Sequence, residues 1–196
     1  MKGFFKIAGA TFVVRECQLL ARCNDQGLRW RLEVCTIQRF VPKFDEFWEP
    51  YFLSQRIKGW SNQKFESWTE LVSEEVVWGE PFERGAVVEN ACISIADESY
   101  ATTRGTLHLV PGSSGEFNLN CSAVAPIPVD GLVYEIEFEI EALGEFKGIE
   151  VEAESEAEAR SIASRFTNLD LYGLGKSAGS DHFVFQLEGI NPPTNQ

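Results

Sequence analysis

Residues 134–141 read Tyr-Glu-Ile-Glu-Phe-Glu-Ile-Glu, a strict alternation of glutamate with a large apolar or aromatic residue. A period of two places the apolar side chains on one face of a β-strand and the carboxylates on the other. The alternation resumes over residues 149–154, which read Ile-Glu-Val-Glu-Ala-Glu. The sequence therefore predicts a hairpin of two antiparallel strands with glutamates along one face.

This hairpin concentrates negative charge. Residues 132–158 hold ten glutamates and one basic residue, Lys147, whereas the whole chain has a formal net charge of −13. Carboxylates at positions i and i+2 of a strand stand about 6.6–6.8 Å apart, and cross-strand neighbours about 5 Å apart. Because such a ladder repels itself, we expect an opposite charge to neutralise it, either from the same chain or from a partner.

The N-terminal half offers an internal source of that charge. Residues 11–39 have the pattern of a long hairpin that turns at 24–27, and we expect Cys17, Leu19, Ala21 and Cys23 to face Val34, Leu32, Trp30 and Leu28. The outer face of this hairpin carries the basic side chains Arg22, Arg29 and Arg31. If the two hairpins lie side by side, these arginines could balance Glu135, Glu137, Glu150 and Glu152.

Length and composition predict one folded domain. The chain has 196 residues, of which 44% are hydrophobic and 12% aromatic, which is enough to build a sizeable core. We expect a single compact β-rich domain over 1–190, a sub-boundary within 126–131, where Pro126, Pro128 and Gly131 indicate a bend, and a frayed polar tail over 191–196. The predicted class is α+β, mainly antiparallel β, as a sandwich or partly open barrel.

The remaining elements follow from local signals. Strands are predicted over 87–96, 103–110, 116–125 and 182–187, and short capping-box helices over 68–75 and 155–166. The aromatic spacing of residues 44–52 is helical, but Pro50 predicts a broken or very short helix there. The Gly/Ser-rich residues 173–180 predict a loop. The C-terminal portion would then be β-β-α-β.

The sequence carries no catalytic signature and predicts no cofactor and no metal site. Its two histidines, His108 and His182, limit any histidine-based hydrolase to those positions. The five cysteines lack Cys-x-x-Cys spacing and are expected to be buried thiols, as in a reducing cytoplasm. Residues 173–177 end in Gly-Lys-Ser, yet Asp170 stands where a phosphate-binding loop requires glycine.

We expect a non-enzymatic interaction protein of the inhibitor, immunity or assembly-factor kind, which presents an acidic strand face to a basic protein. The acidic balance argues against nucleic acid and anionic membranes as partners, and no segment reaches the ~18 apolar residues of a membrane span. A carbohydrate or small-ligand site built on exposed aromatic residues is the alternative, and a hydrolase comes third. The candidate partner-binding residues are Glu135, Glu137, Glu139, Glu150 and Glu152, and the candidate ligand-binding aromatics are Trp48, Tyr51 and Trp60.

Overall fold

The fold is mainly antiparallel β-sheet, as the sequence predicts. The computed structural model describes residues 2–54, 64–65, 67–71, 75–79, 91–96, 98–112, 115–129, 131–176 and 182–188. The strands are β1 (Gly3–Ile7), β2 (Ala10–Asn24), β3 (Gly27–Thr36), β4 (Arg39–Val41), β5 (Glu46–Trp48), β6 (Tyr51–Ser54), β7 (Val76–Trp78), β8 (Ala91–Ile95), β9 (Glu98–Ala101), β10 (Arg104–Pro111), β11 (Glu116–Val129), β12 (Leu132–Glu152), β13 (Tyr172–Lys176) and β14 (His182–Leu187). The helices are α1 (Trp68–Leu71) and α2 (Glu156–Ala163), followed by a 3-10 turn at Leu169–Leu171.

Strand β12 organises the sheet. It is a single strand of 21 residues that pairs with β11, β1 and β14 in antiparallel sense and with β2 in parallel sense. The predicted glutamate hairpin is therefore wrong, because both alternating stretches belong to this one strand. The hairpin partner of β12 is β11, whose residues opposite the first alternating stretch are neutral.

A bulge at Gly148 explains why the two alternating stretches are out of phase. The pairing between β12 and β2 shifts register between Phe146 and Gly148, and Gly148 has φ +111°. Residues 138–146 bury the even positions, whereas residues 149–153 bury the odd ones. A Cβ at Gly148 would lie 2.2 Å from the carbonyl oxygen of Phe185, so only glycine fits.

The predicted register of the N-terminal hairpin is confirmed from Cys17 to Leu28, whereas the β2–β3 pairing shifts between Val14 and Glu16 and β3 ends at Thr36. In the β2–β3 pair, Cys17 faces Val34, Leu19 faces Leu32, Ala21 faces Trp30 and Cys23 faces Leu28. The preceding β1–β2 hairpin was not predicted. It turns through Ala8 and Gly9, both with positive φ, and places β1 beside β12.

The sheet curls so that its distant strands meet. Strands β6 and β12 lie far apart in the order β7-β10-β11-β12-β1-β2-β3-β6-β8-β9, yet the rings of Phe52 and Phe138 are 5.9 Å apart. The amide of Thr103, after β9, donates a 2.8 Å hydrogen bond to the carbonyl of Val124 in β11. The result is a partly open barrel filled by buried apolar side chains.

Several local predictions are confirmed. Strand β14 has the expected bounds, and β10 buries Leu107 and Leu109. Helix α2 begins after the N-cap Ser155, whose Oγ accepts a hydrogen bond from the amide of Glu158, and it buries Ala159, Ile162 and Ala163. Of the shorter predicted helix, the structure shows α1 over Trp68–Leu71.

Other local predictions are wrong. Residues 44–52 form strands β5 and β6 rather than a broken helix, and residues 173–176 form β13 rather than a loop. Strand β11 continues through Pro126 and Pro128, because β10 pairs with it only as far as Val124, and the prolines then pair with β12 alone in the sheet. Residues 126–129 belong to the end of β11, and the sub-boundary within 126–131 stays a prediction. The predicted tail 191–196 lies outside the described residues.

Candidate functional site: an acidic strand face and the cleft beside it

The glutamates in the first half of β12 lie in single file on the outer face of the sheet. Across from them on β11 stand neutral side chains: Val124 faces Glu137, Ser122 faces Glu139 and Asn120 faces Glu141. No second line of carboxylates opposes them, contrary to what the hairpin interpretation required. We call this outer set the acidic row; it consists of Glu135, Glu137, Glu139 and Glu141.

The acidic row is only partly neutralised by the chain. Arg104 lies 3.5 Å from Glu135, and Lys6 lies 3.7 Å from Glu139; all four side chains are at least half exposed. Glu137 and Glu141 are exposed and form no ion pair with any described residue. Exposed pairs at these distances contribute little stability. The row therefore keeps most of its negative charge at the surface.

The second half of β12 is different, because two of its three carboxylates, Glu145 and Glu150, are matched by nearby basic groups. Lys147 and Lys2 both contact Glu145, and these hydrogen bonds lower the pKa of its carboxyl from 4.5 to about 2. Parallel pairing with β2 places Arg22 opposite Glu150, and the Arg22 Nε–Glu150 Oε2 distance is 2.7 Å. We call Glu145 and Glu150 the paired carboxylates.

Three arginines were predicted to neutralise the glutamates of β12, and among the described residues one of them does so. Arg22 neutralises Glu150 as expected. Arg31 instead pairs with Glu33 on its own strand, and Arg29 forms no ion pair with the glutamates of the described chain. Glu152 likewise has no ion pair within the described ranges. The cations beside the acidic row, Lys6 and Arg104, come from strands that the sequence did not place next to it.

A cleft of about 1240 Å3 opens at the end of the barrel next to the acidic row. Four turns border it: the β1–β2, β4–β5 and β8–β9 turns and the end of the β11–β12 hairpin. Its lining combines charged residues with apolar and aromatic ones, and the latter include Phe44, Trp48, Ile95, Tyr100, Ile127, Val129, Tyr134 and Ile136.

The charged residues of the cleft give it a net negative rim. Four carboxylates line it against two cations, Lys43 and Arg104. Tyr100 is a neutral residue of the lining, and the hydrogen bond that it donates to Glu98 raises the pKa of its hydroxyl to about 12. Two of the carboxylates also belong to the acidic row, so the row and the cleft form one continuous surface. The four are Glu46, Glu98, Glu135 and Glu137.

The two aromatic candidates that the structure describes, Trp48 and Tyr51, do not line the same site. Trp48 lines the cleft, but it is only 5% exposed and its ring stacks on Phe44 at 4.4 Å, so its expected exposure is wrong. Tyr51 lies outside the cleft, half buried, and its hydroxyl donates a 2.9 Å hydrogen bond to Glu33. Trp60 lies outside the described residues. Tyr134 is the exposed aromatic residue of the cleft, and the neighbouring turn glycine, Gly131, was the available signal for it.

Backbone strain is concentrated around the cleft. The described non-glycine residues with positive φ are Ala8, Asp45 and Ala96, at +51°, +54° and +48°. Ala8 and Ala96 line the cleft, and Asp45 lies in the turn between its lining residues Phe44 and Glu46. Positive φ costs an alanine about 1–2 kcal/mol. The turns are thus held in a defined shape by the fold.

The histidines do not assemble a hydrolase within the described residues. His182 Nδ1 lies 3.4 Å from Glu150 Oε1, but Cys23, which shares the small adjacent pocket, points to the opposite, buried face of the sheet. Burial raises the pKa of the Cys23 thiol to about 12, so it stays protonated. His108 lies on β10 opposite Asn120, far from this group along the sheet order.

Comparisons with known proteins leave the argument to the geometry. No protein-family model, no curated protein and no solved structure matches this chain. Where the structure describes the chain, no group of three or more histidine, cysteine, aspartate or glutamate residues is arranged to hold a metal ion. None of the described helices has the length and apolar character that a membrane crossing requires.

Proposed function

We propose that this protein is a non-enzymatic interaction protein that binds a basic protein partner through the acidic row. The observation that carries the proposal is the exposure of Glu137 and Glu141 without an ion pair among the described residues. An inhibitor, an immunity-type protein or an assembly factor would use such a surface.

Folding does not require these carboxylates to be neutralised. Two unit charges about 6.7 Å apart in water repel by about 0.6 kcal/mol, and salt reduces this further. The fold tolerates the row because its cross-strand neighbours on β11, such as Ser122 and Asn120, are neutral, and the neighbour of Glu139 on β1 is the cation Lys6. A surface that is tolerable for folding yet strongly charged is suited to a partner of opposite charge.

The expected mechanism is electrostatic steering. Clustered charge of one sign raises the rate at which an oppositely charged partner arrives, and it penalises partners of like charge. The rate enhancement falls as salt shortens the screening length from about 30 Å at 0.01 M to about 10 Å at 0.1 M. Binding through the acidic row should therefore be lost mainly through slower association.

A labelled basic peptide tests this proposal. The probe is a rhodamine-labelled nonapeptide of alternating arginine and serine, titrated with the protein at about 20 mM salt and followed by fluorescence anisotropy. The double variant E137Q/E141Q should weaken binding by about tenfold, because two exposed charge contacts together are worth about 1–2 kcal/mol.

The matched control is E154Q/E188Q, which removes the same formal charge from two other exposed positions. It should weaken binding less than about twofold, since long-range charge alone has a small effect. Equal losses in the two double variants would show that the peptide responds to net charge and not to the acidic row, and the proposal would fail.

A further inference from the structure

Exposed apolar side chains cluster at two hairpin ends beside the cleft. At the β11–β12 end, Leu132 is 62% exposed, Val133 68% and Tyr134 48%; on the β4–β5 hairpin, Phe47 is 62% exposed. Single exposed apolar residues are ordinary on protein surfaces, but a group of neighbours marks a contact site. The three consecutive residues at the β11–β12 end form such a group.

This apolar end is continuous with the interior of the cleft. Tyr134 belongs to both, and beside it the wall is formed by Val129 and Ile136, above the buried Ile127. On the β4–β5 hairpin, Phe44 and Trp48 line the cleft. A segment that binds the acidic row would thus also contact an apolar surface only a few residues farther along its own chain.

Charge decides which occupant fits. The rim has four carboxylates and two cations, and the acidic row continues the negative charge along β12. An acidic segment would be repelled, and a purely apolar one would leave the excess negative charge of the rim uncompensated. A segment that combines cationic and apolar side chains satisfies both surfaces.

The spacing of the row suggests the conformation of that segment. Glu135, Glu137 and Glu139 are successive outward residues of one strand, so they repeat at about 6.6–6.8 Å. An extended peptide repeats its own alternate side chains at the same interval. A segment that runs alongside residues 132–137 of β12 presents its cationic side chains to the row and its intervening side chains to the opposite side, where Tyr134 and Ile136 line the cleft.

We propose that the cleft and the apolar β11–β12 end bind an extended segment of the partner in which lysine or arginine alternates with large apolar residues. This inference rests on the proposed function, because it takes the partner to be basic. It adds the sequence pattern that the partner presents. The cationic side chains pair with Glu135 and Glu137, and the apolar ones contact Tyr134 and Ile136 on the opposite side of β12.

Two labelled nonapeptides with the same five arginines test the pattern. One alternates arginine with leucine and the other alternates arginine with serine. The native protein should bind the leucine peptide at least about tenfold more tightly, since burying even part of several leucines is worth more than 1.4 kcal/mol. The double variant V133S/Y134S should reduce this ratio to within about twofold of unity and leave the affinity for the serine peptide unchanged.

The control variant is L171S, which removes an exposed apolar side chain, 46% exposed, that does not line the cleft. It should leave the ratio of the two affinities as in the native protein. A peptide that alternates glutamate with leucine should not bind. If V133S/Y134S leaves the preference for the leucine peptide intact, the apolar end is not the contact and the inference is wrong.

The result separates this inference from the proposed function. If E137Q/E141Q weakens binding of the serine peptide no more than the control E154Q/E188Q does, the proposed function fails, whatever the result with the leucine peptide. If E137Q/E141Q weakens binding of the serine peptide as expected, but the native protein does not prefer the leucine peptide, only the inference about the partner segment fails.

Two other occupants have their own signatures. A second copy of the chain would appear in sedimentation velocity as a dimer that V133S/Y134S dissociates, and this result would overturn the inference. Salt-independent quenching of tryptophan fluorescence by a neutral oligosaccharide, abolished in Y134S, would also overturn it and assign the cleft to a sugar.

Discussion

The two halves of β12 share one sequence pattern and have different electrostatic surroundings. In the first half, the neighbours of the acidic row on β11 are neutral, Lys6 and Arg104 form only exposed pairs with it, and Glu137 and Glu141 have no ion pair within the described chain. In the second half, Glu145 is held by two lysines and Glu150 by Arg22. The alternation of glutamates therefore fixes which way the carboxylates point, whereas the neighbouring strands decide whether they are neutralised.

The bulge that separates the two halves should be the most sensitive position. Gly148→Ala is expected to destabilise the protein by about 3 kcal/mol or more, because it adds positive-φ strain to an overlap with the Phe185 carbonyl. Urea denaturation measures the change.

Gly131→Ala is the matched control for the bulge. Gly131 also has positive φ, at +79°, but a Cβ there meets nothing within 4 Å. Its cost should be limited to about 1–2 kcal/mol of backbone strain. Equal losses of unfolding free energy at both glycines would mean that the close contact at Gly148 does not contribute to the destabilisation.

The ion pair of the second half should be measurable. Because Glu150 is 18% exposed in its side chain, the Arg22→Met, Glu150→Gln double-mutant cycle is expected to give a coupling of about 1 kcal/mol. The corresponding cycle for Arg104 and Glu135, both more than half exposed, should give about 0.5 kcal/mol or less. If urea unfolding gives the same coupling free energy for both ion pairs, the two halves of β12 do not differ in how strongly their glutamates are neutralised.

Glu145 should make the second half sensitive to acid. Its folded pKa is lowered to about 2, so its contribution to stability is complete above pH 4.5 and is lost as the pH falls from about 4.5 to about 2. In Glu145→Gln this part of the acid dependence should be missing. Thermal unfolding across that pH range, compared with the native protein, shows whether the two curves converge at low pH as expected.

The acidic row itself should contribute nothing to stability. E137Q/E141Q removes repulsion and breaks no ion pair with a described residue, so its unfolding free energy should be unchanged or higher by about 0.5 kcal/mol. A destabilisation above about 1 kcal/mol in urea unfolding would show that these carboxylates have a structural partner.

The sequence was sufficient to predict those features of the fold that local patterns determine. The register of the β2–β3 hairpin, the N-cap at Ser155 and strand β14 follow from alternation and capping signals alone. The inward and outward faces of β12 were also predictable. These features depend on residues that are close together in the chain.

The rest depends on contacts between residues far apart in the chain. Gly144 resembles a turn signal, but its missing Cβ makes room for the ring of Phe117. The parallel pairing that brings Arg22 to Glu150 crosses more than a hundred residues, and Tyr134 faces a cleft built from four separate turns. No local sequence pattern indicates these long-range contacts, so the cleft could not be predicted from the sequence.

The salt dependence of association tests the central claim most directly. Stopped-flow mixing of the native protein with the arginine–serine peptide should give an association rate constant that falls at least about tenfold between about 20 and 300 mM salt. In E137Q/E141Q the rate at low salt should be reduced and its salt dependence flatter, whereas E154Q/E188Q should follow the native curve. A native rate constant independent of salt, or the same curve for both double variants, would contradict the role of the acidic row.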